Sequence, residues 1–81
     1  MFGAAYKVLV QTLAQVRKET GISQTELGRR LGKGQKYVSV IETGIRRIDL
    51  IEFVAFAEAF GIAPEALFAQ VLGALPEQLE I

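Results

Sequence analysis

With 81 residues, 51% of them hydrophobic, and nine basic side chains balanced by nine acidic ones, the chain is sized for one domain and carries no net charge. It has no cysteine and no histidine, which excludes a disulfide framework, the ordinary zinc ligand sets and histidine-based acid–base catalysis. The fold must rest on its own core, and chains this small often complete that core by pairing with a second copy.

The apolar start, MFGAAYKVLVQTLAQVRKE, lacks a basic leader and a small-residue cleavage site. Lys7, Gln11 and Thr12 interrupt it well before the roughly 20 apolar residues that a membrane span needs. A soluble, cytoplasmic chain is expected. The same stretch predicts a first helix from about Ala4 to Lys18, with Leu9, Leu13 and Val16 forming one apolar stripe and Gly21 closing it. Ser23 and Glu26 then have the spacing of a capping box, each side chain meeting a backbone N–H of the other. A second helix follows to Leu31, with Leu27 and Leu31 inward and Gly32 placed for a left-handed turn.

After Gly32-Lys33-Gly34, a short third helix runs from Gln35 to about Thr43 and is stopped by Gly44. Asp49 and Glu52 repeat the capping-box spacing, with Ile48 placed to staple against Phe53. The fourth helix carries Phe53, Phe56, Ala57 and Phe60 before Gly61. Pro64 opens a fifth, bearing Leu67, Phe68, Val71 and Leu72, until Gly73 and Pro76 break it. Phe53, Phe56, Phe60, Leu67 and Phe68 are expected in the core, which leaves Val54, Val71, Leu72, Leu75, Leu79 and Ile81, with Phe2, Tyr6 and Val10, as apolar surplus. No period-two alternation or Asn-Gly hairpin signal predicts a strand. The expectation is a compact all-α fold of five helices over residues 1–81, a single domain with residues 73–81 as a C-terminal tail available to a dimer interface.

On a helical wheel, Lys36, Ser39, Val40 and Thr43 share a face with Gln35, within roughly 140° of it, while Tyr37, Val38 and Ile41 lie opposite, at roughly 200–300°. One face anchors the helix. The other shows an amide, an ammonium and two hydroxyls, side chains suited to base edges and phosphates in a major groove. Charge points the same way: from Arg17 to Arg47, eight basic residues face three acids, and after Arg47 come six acids and no base. A basic half beside an acidic half fits phosphate on one side; the other reading is that acids and bases pair across the fold.

A helix-turn-helix needs a small residue where the two helices cross, a residue tolerant of a left-handed turn, and apolar anchors beyond. Gly28, Gly32, Val38 and Ile41 supply these in order, backed by Leu27 and Leu31. With them, the run VRKETGISQTELGRRLGKGQKYVSVIETGIRRIDLIEFVAFAEAFGIAPEALF, Val16 to Phe68, resembles the Cro/phage-repressor, or XRE-type, helix-turn-helix family. The marks are SQTELG, YVSVIETG and AFGIAPEAL.

The resemblance implies base contacts from Gln35, Lys36, Ser39 and Val40. It implies phosphate contacts from Ser23, Gln24, Lys33, Thr43, Arg46 and Arg47, and a structural ion pair between Arg17 and Glu42. Two positions depart from the family pattern. Relatives usually carry Lys where Val40 stands, and Lys33 replaces a common aliphatic residue in the turn.

The function expected is a sequence-specific regulator of double-stranded DNA, most simply a nucleoid-associated repressor occluding a palindromic operator as a homodimer through helix five and the tail. Such a dimer sets two half-sites about one helical turn, roughly 34 Å, apart. The rival reading is an antitoxin-like or adaptor module whose acidic half binds a partner protein. No nucleophile-and-base arrangement is present, so an enzyme is not expected, nor is a metal or cofactor.

Overall fold

The computed structural model describes residues 3–79, which form five helices: α1 (Ala4–Glu19), α2 (Gln24–Arg30), α3 (Gln35–Glu42), α4 (Leu50–Phe60) and α5 (Pro64–Ala74). Among the described residues there is no strand. The helices begin and end where local chemistry stops them. Gly21, Gly32, Gly44 and Gly61 all take positive φ, between 71° and 79°, the left-handed region that closes a helix C-terminus. Asp49 caps α4 with a complete box: its carboxylate accepts from Glu52 N–H at 2.7 Å, and Glu52 accepts from Asp49 N–H at 2.9 Å.

The box expected at α2 is half-formed. Ser23 Oγ accepts from Glu26 N–H at 3.0 Å, but the Glu26 carboxylate turns to Arg29 and Arg30, at 2.6 and 2.8 Å, instead of returning to Ser23. Two guanidiniums at i+3 and i+4 outcompete one neutral N–H for a carboxylate. They hold its pKa down at about 2.

α1 packs on α3 and α5, α2 on α3 and α4, and α4 on α5. Between them lie Leu13, Val16, Leu27, Val38, Ile41, Phe56, Phe60 and Leu67, with Leu9, Leu31, Tyr37 and Ile48 packed at its margin. Phe56 and Phe60 meet edge to face with centroids 6.1 Å apart, the preferred geometry for aromatic pairs.

Two expectations about the C-terminal part are corrected. Phe68, expected in the core, is 50% exposed; it lies edge-on to Phe53, with centroids 6.3 Å apart. Gly73 does not end α5, which continues to Ala74. An exposed helical glycine costs only about 1 kcal/mol, so the helix runs on until Pro76 forces Leu75 into an extended conformation, ψ 148°. The tail thus begins at Leu75. Of the apolar residues expected to be surplus to the core, Val10 and Val71 are buried, Tyr6, Val54 and Leu75 half-buried, and Leu72 and Leu79 exposed. Phe2 and Ile81 lie outside the described residues.

Candidate nucleic-acid interface

The α2–α3 unit is held at one point of very close approach. A methyl group at Gly28 would lie 2.6 Å from the carbonyl oxygen of Gly34 and 2.7 Å from its carbon. No side chain fits there, so glycine lets the turn close over α2, sealed by Lys33 N–H donating to Gly28 O at 2.7 Å. From the turn α3 sets out with Val38 and Ile41 fully buried. Its opposite face leaves Gln35, Lys36 and Thr43 exposed and Ser39 and Val40 half-buried. Gly34 offers α3 no side-chain cap, so the N–H groups of its first turn are open to an anion.

A chain of hydrogen bonds runs from the core to this face. The buried Arg17 guanidinium donates to Glu42 twice, Nε to Oε2 at 2.6 Å and the terminal Nη2 to Oε1 at 3.1 Å, and Arg17 also donates to Ile22 O at 2.9 Å. Both side chains are nearly inaccessible. Gln24 Nε2 donates to Glu42 Oε1 at 2.9 Å, and Gln35 Nε2 donates to Gln24 Oε1 at 2.6 Å. Gln24 and Gln35 are the first residues of α2 and α3, so the relay ties both N-termini to one buried ion pair. Gln24, expected to face phosphate, lies instead between two protein partners, Glu42 and Gln35.

The α3–α4 loop is organised by Glu52. Its carboxylate accepts from Tyr37 Oη at 2.5 Å and from Arg46 at 2.8 and 3.0 Å, besides capping α4. The Arg46 guanidinium holds the Glu52 pKa down at about 2, while burial and the Glu52 carboxylate push Tyr37 up to about 12. Lys33 and Arg46 lie 5.6 and 5.5 Å from the Tyr37 ring centroid, cation–π contacts that hold two positive charges beside α3. Arg46, expected to clamp phosphate, is therefore already paired.

Arg47 is exposed and sits 5.1 Å from the Tyr6 ring. Tyr6 Oη braces the loop, accepting from Ile48 N–H at 2.9 Å and donating to Arg46 O at 3.2 Å. Ser23 and Thr43 are exposed, the Thr43 hydroxyl donating to Ser39 O at 2.9 Å. The roles of Glu52 and Tyr6 were not read from the sequence. The Asp49/Glu52 spacing identified the cap, but nothing local joins Glu52 to Tyr37 or Tyr6 to residues 46–48.

The ion pairs bear on the two readings of the charge split. Arg17–Glu42, Arg29–Glu26 and Arg30–Glu26 close within the basic half, and Arg46–Glu52 crosses to the acidic half. Exposed Lys33, Lys36 and Arg47 cluster around α3 and its flanking loops. Among the described residues no group of acids is placed to hold a metal, and no helix is long and apolar enough to cross a membrane.

A short helix locked across its predecessor by a glycine contact, polar on its outer face and flanked by basic turns, defines a helix-turn-helix protein of the DNA-binding kind. The comparisons agree. A family model described as helix-turn-helix matches residues 13–67. An uncharacterized HTH-type transcriptional regulator of Sinorhizobium fredii is 33% identical over 57 residues, covering 70% of this chain and 74% of its own. Among solved structures, an XRE-family like protein from Pseudomonas syringae is 40% identical, with a TM-score of 0.80 over 90% of this chain and 89% of that one. A restriction-modification controller protein from Aeromonas hydrophila is 32% identical, with a TM-score of 0.73 over 82% of this chain and 100% of that one. The chain belongs to the XRE-type helix-turn-helix family of DNA-binding transcriptional regulators.

Proposed function

We propose that this regulator is a sequence-specific repressor that binds a palindromic operator as a homodimer, the whole chain acting as one DNA-binding unit. The observation that carries the reading is α3 itself: Val38 and Ile41 fix it to the core, while Gln35 and Lys36 project from its uncapped first turn. In this reading α3 enters the major groove. Gln35 and Lys36 meet base edges, Ser39 lies along the groove, and Val40 takes an apolar contact such as a thymine methyl. Ser23, Lys33, Thr43 and Arg47 reach phosphates. Gln24 positions Gln35, and Arg46 reaches phosphate only by exchanging Glu52 for it.

Pairing is supported by an apolar face away from the core. Phe68 (50% exposed), Leu72 (54%) and Leu79 (55%) on α5 and the tail are exposed, as is Leu50 (72%) at the start of α4. Leu50, Phe68 and Leu79 border a cleft of about 360 Å³ floored by Leu9, Phe53 and Val71. Apolar surface gathered this way marks an interaction site. The molecule measures 35 × 26 × 21 Å, so two copies side by side are commensurate with half-sites roughly 34 Å apart. The same face would serve an antitoxin-like or adaptor role if it took another protein, and a stable homodimer without that protein separates the two readings.

Titrating DNA binding against salt tests the α3 reading. Gln35→Ala is expected to cost roughly 1–3 kcal/mol at the specific site and to relax discrimination there. Arg47→Ala should weaken binding to every sequence alike and shallow the salt slope by about one unit. Equal effects of the two changes on all sequences would show that α3 is not the reading element.

A further inference from the structure

The relay that ends at Gln35 begins at a carboxylate, and a carboxylate has no hydrogen to give. Gln24 must therefore turn its amide nitrogen toward Glu42 Oε1, at 2.9 Å, and its carbonyl oxygen toward Gln35. That oxygen can only accept, so Gln35 must turn its own nitrogen inward, donating to Gln24 at 2.6 Å. One N–H of Gln35 is thereby engaged. Its second N–H and its carbonyl oxygen remain on an exposed side chain in the first turn of α3. One donor beside one acceptor matches N6 and N7 of adenine and mismatches O6 and N7 of guanine, which are both acceptors.

We propose that Glu42, which is buried and would touch no base, is a specificity-determining positioning residue: its carboxylate sets the sense of the Gln24–Gln35 relay, and so selects adenine over guanine at the base pair met by Gln35. The inference rests on α3 being the reading helix, as proposed above.

The geometry also says what reversing the root would do. Glu42 Oε2 receives the shorter Arg17 bond, 2.6 Å from Nε, while Oε1 receives the longer ones, 3.1 Å from Arg17 and 2.9 Å from Gln24. In Glu42→Gln the remaining carbonyl oxygen takes the Oε2 place, against the closer donor, and the new NH2 takes the Oε1 place. It then donates to Gln24. The Gln24 amide turns over and donates to the Gln35 carbonyl, and Gln35 shows two N–H groups outward, the partner of guanine's two acceptors. A change beneath the surface inverts the base preference.

The test uses the full chain and fluorescence anisotropy on four duplexes that differ only at the base pair where Gln35→Ala loses discrimination. Wild type is expected to favour adenine over guanine by roughly tenfold or more. Glu42→Gln, checked for folding by circular dichroism, should favour guanine. Gln24→Ala leaves the Arg17–Glu42 pair intact and should bring the two affinities within about threefold, since Gln35 is then free to turn. A folded Glu42→Gln or a Gln24→Ala protein that keeps the full wild-type adenine preference overturns the proposal.

Solvent exchange of the Gln35 side-chain NH2, followed by NMR without DNA, separates the two ways of failing. The proton bonded to Gln24 should be protected in wild type, and both should exchange freely in Glu42→Gln. Free exchange of both in wild type overturns the relay itself. Protection combined with no base preference at any position overturns the reading of α3, and the inference with it.

Discussion

Gly28→Ala and Gly73→Ala make the same chemical change in two helices and should move stability in opposite directions. At Gly28 the new methyl group would sit 2.6 Å from Gly34 O and 3.2 Å from Gln35 N, both backbone atoms. An ordinary carbon–oxygen contact needs nearly an ångström more, so the turn must retreat and carry the start of α3 with it. Overpacking of this kind costs roughly 1–3 kcal/mol, and backbone that cannot rotate away puts this site at the upper end. Replacing a helical glycine returns about 1 kcal/mol, leaving a net loss of about 1–2 kcal/mol and a Tm lower by roughly 5–15 °C for a domain of this size. At Gly73, inside α5, nothing lies within 4 Å and φ is not positive. Only the propensity gain remains, about 1 kcal/mol, raising Tm by roughly 4–8 °C. Thermal melts followed by circular dichroism, at one protein concentration, measure both. A Gly28→Ala protein melting at or above wild type would refute the close-approach account of the turn.

The remaining expectations concern the loop hub and the paired state. Tyr37 is held up at about 12 against an ordinary 10.0, so its contribution is complete below pH about 10 and is lost as pH rises to about 12. Tyr37→Phe should remove that alkaline fall in the urea midpoint, and an unchanged alkaline slope would count against the Tyr37–Glu52 bond. Glu52 is held down at about 2 from 4.5, so its contribution is present above pH about 4.5 and is lost as pH falls toward 2; Glu52→Gln should flatten this acid limb. Leu72→Asp should convert the proposed dimer to a folded monomer by light scattering at tens of micromolar, since a charge on the exposed face of α5 leaves the core untouched. A dimer that survives it would move the interface elsewhere.

Much of this fold is legible because its helices are bounded by local chemistry. Asp49 with Glu52, Pro64, and glycines at 21, 32, 44 and 61 mark the boundaries without any knowledge of tertiary structure. The inner face of α3 is equally readable, since Val38 and Ile41 oppose Gln35 and Lys36 on the wheel. What the sequence hides is competition. Glu26 has the capping-box spacing from Ser23 but also stands three and four residues before two arginines, and spacing alone does not say which partner wins. α5 is apolar on nearly every side, so its pattern offers little contrast to tell buried Leu67 from half-exposed Phe68. At the candidate interface, residue types announce Gln35 as a base reader, whereas its orientation depends on Gln24, eleven residues away, and Glu42, eighteen from Gln24. Arg46 looks like a phosphate clamp until the loop brings it against Glu52.

Selection of bound duplexes from a random DNA pool at near-physiological salt, followed by sequencing, tests directly whether α3 reads sequence. A two-fold symmetric motif whose half-sites are centred about one helical turn apart should be enriched, with the most constrained base pairs lost when Gln35 is replaced by alanine. Enrichment of no motif, or of one that Gln35→Ala selects equally well, would contradict α3 as a sequence-reading helix.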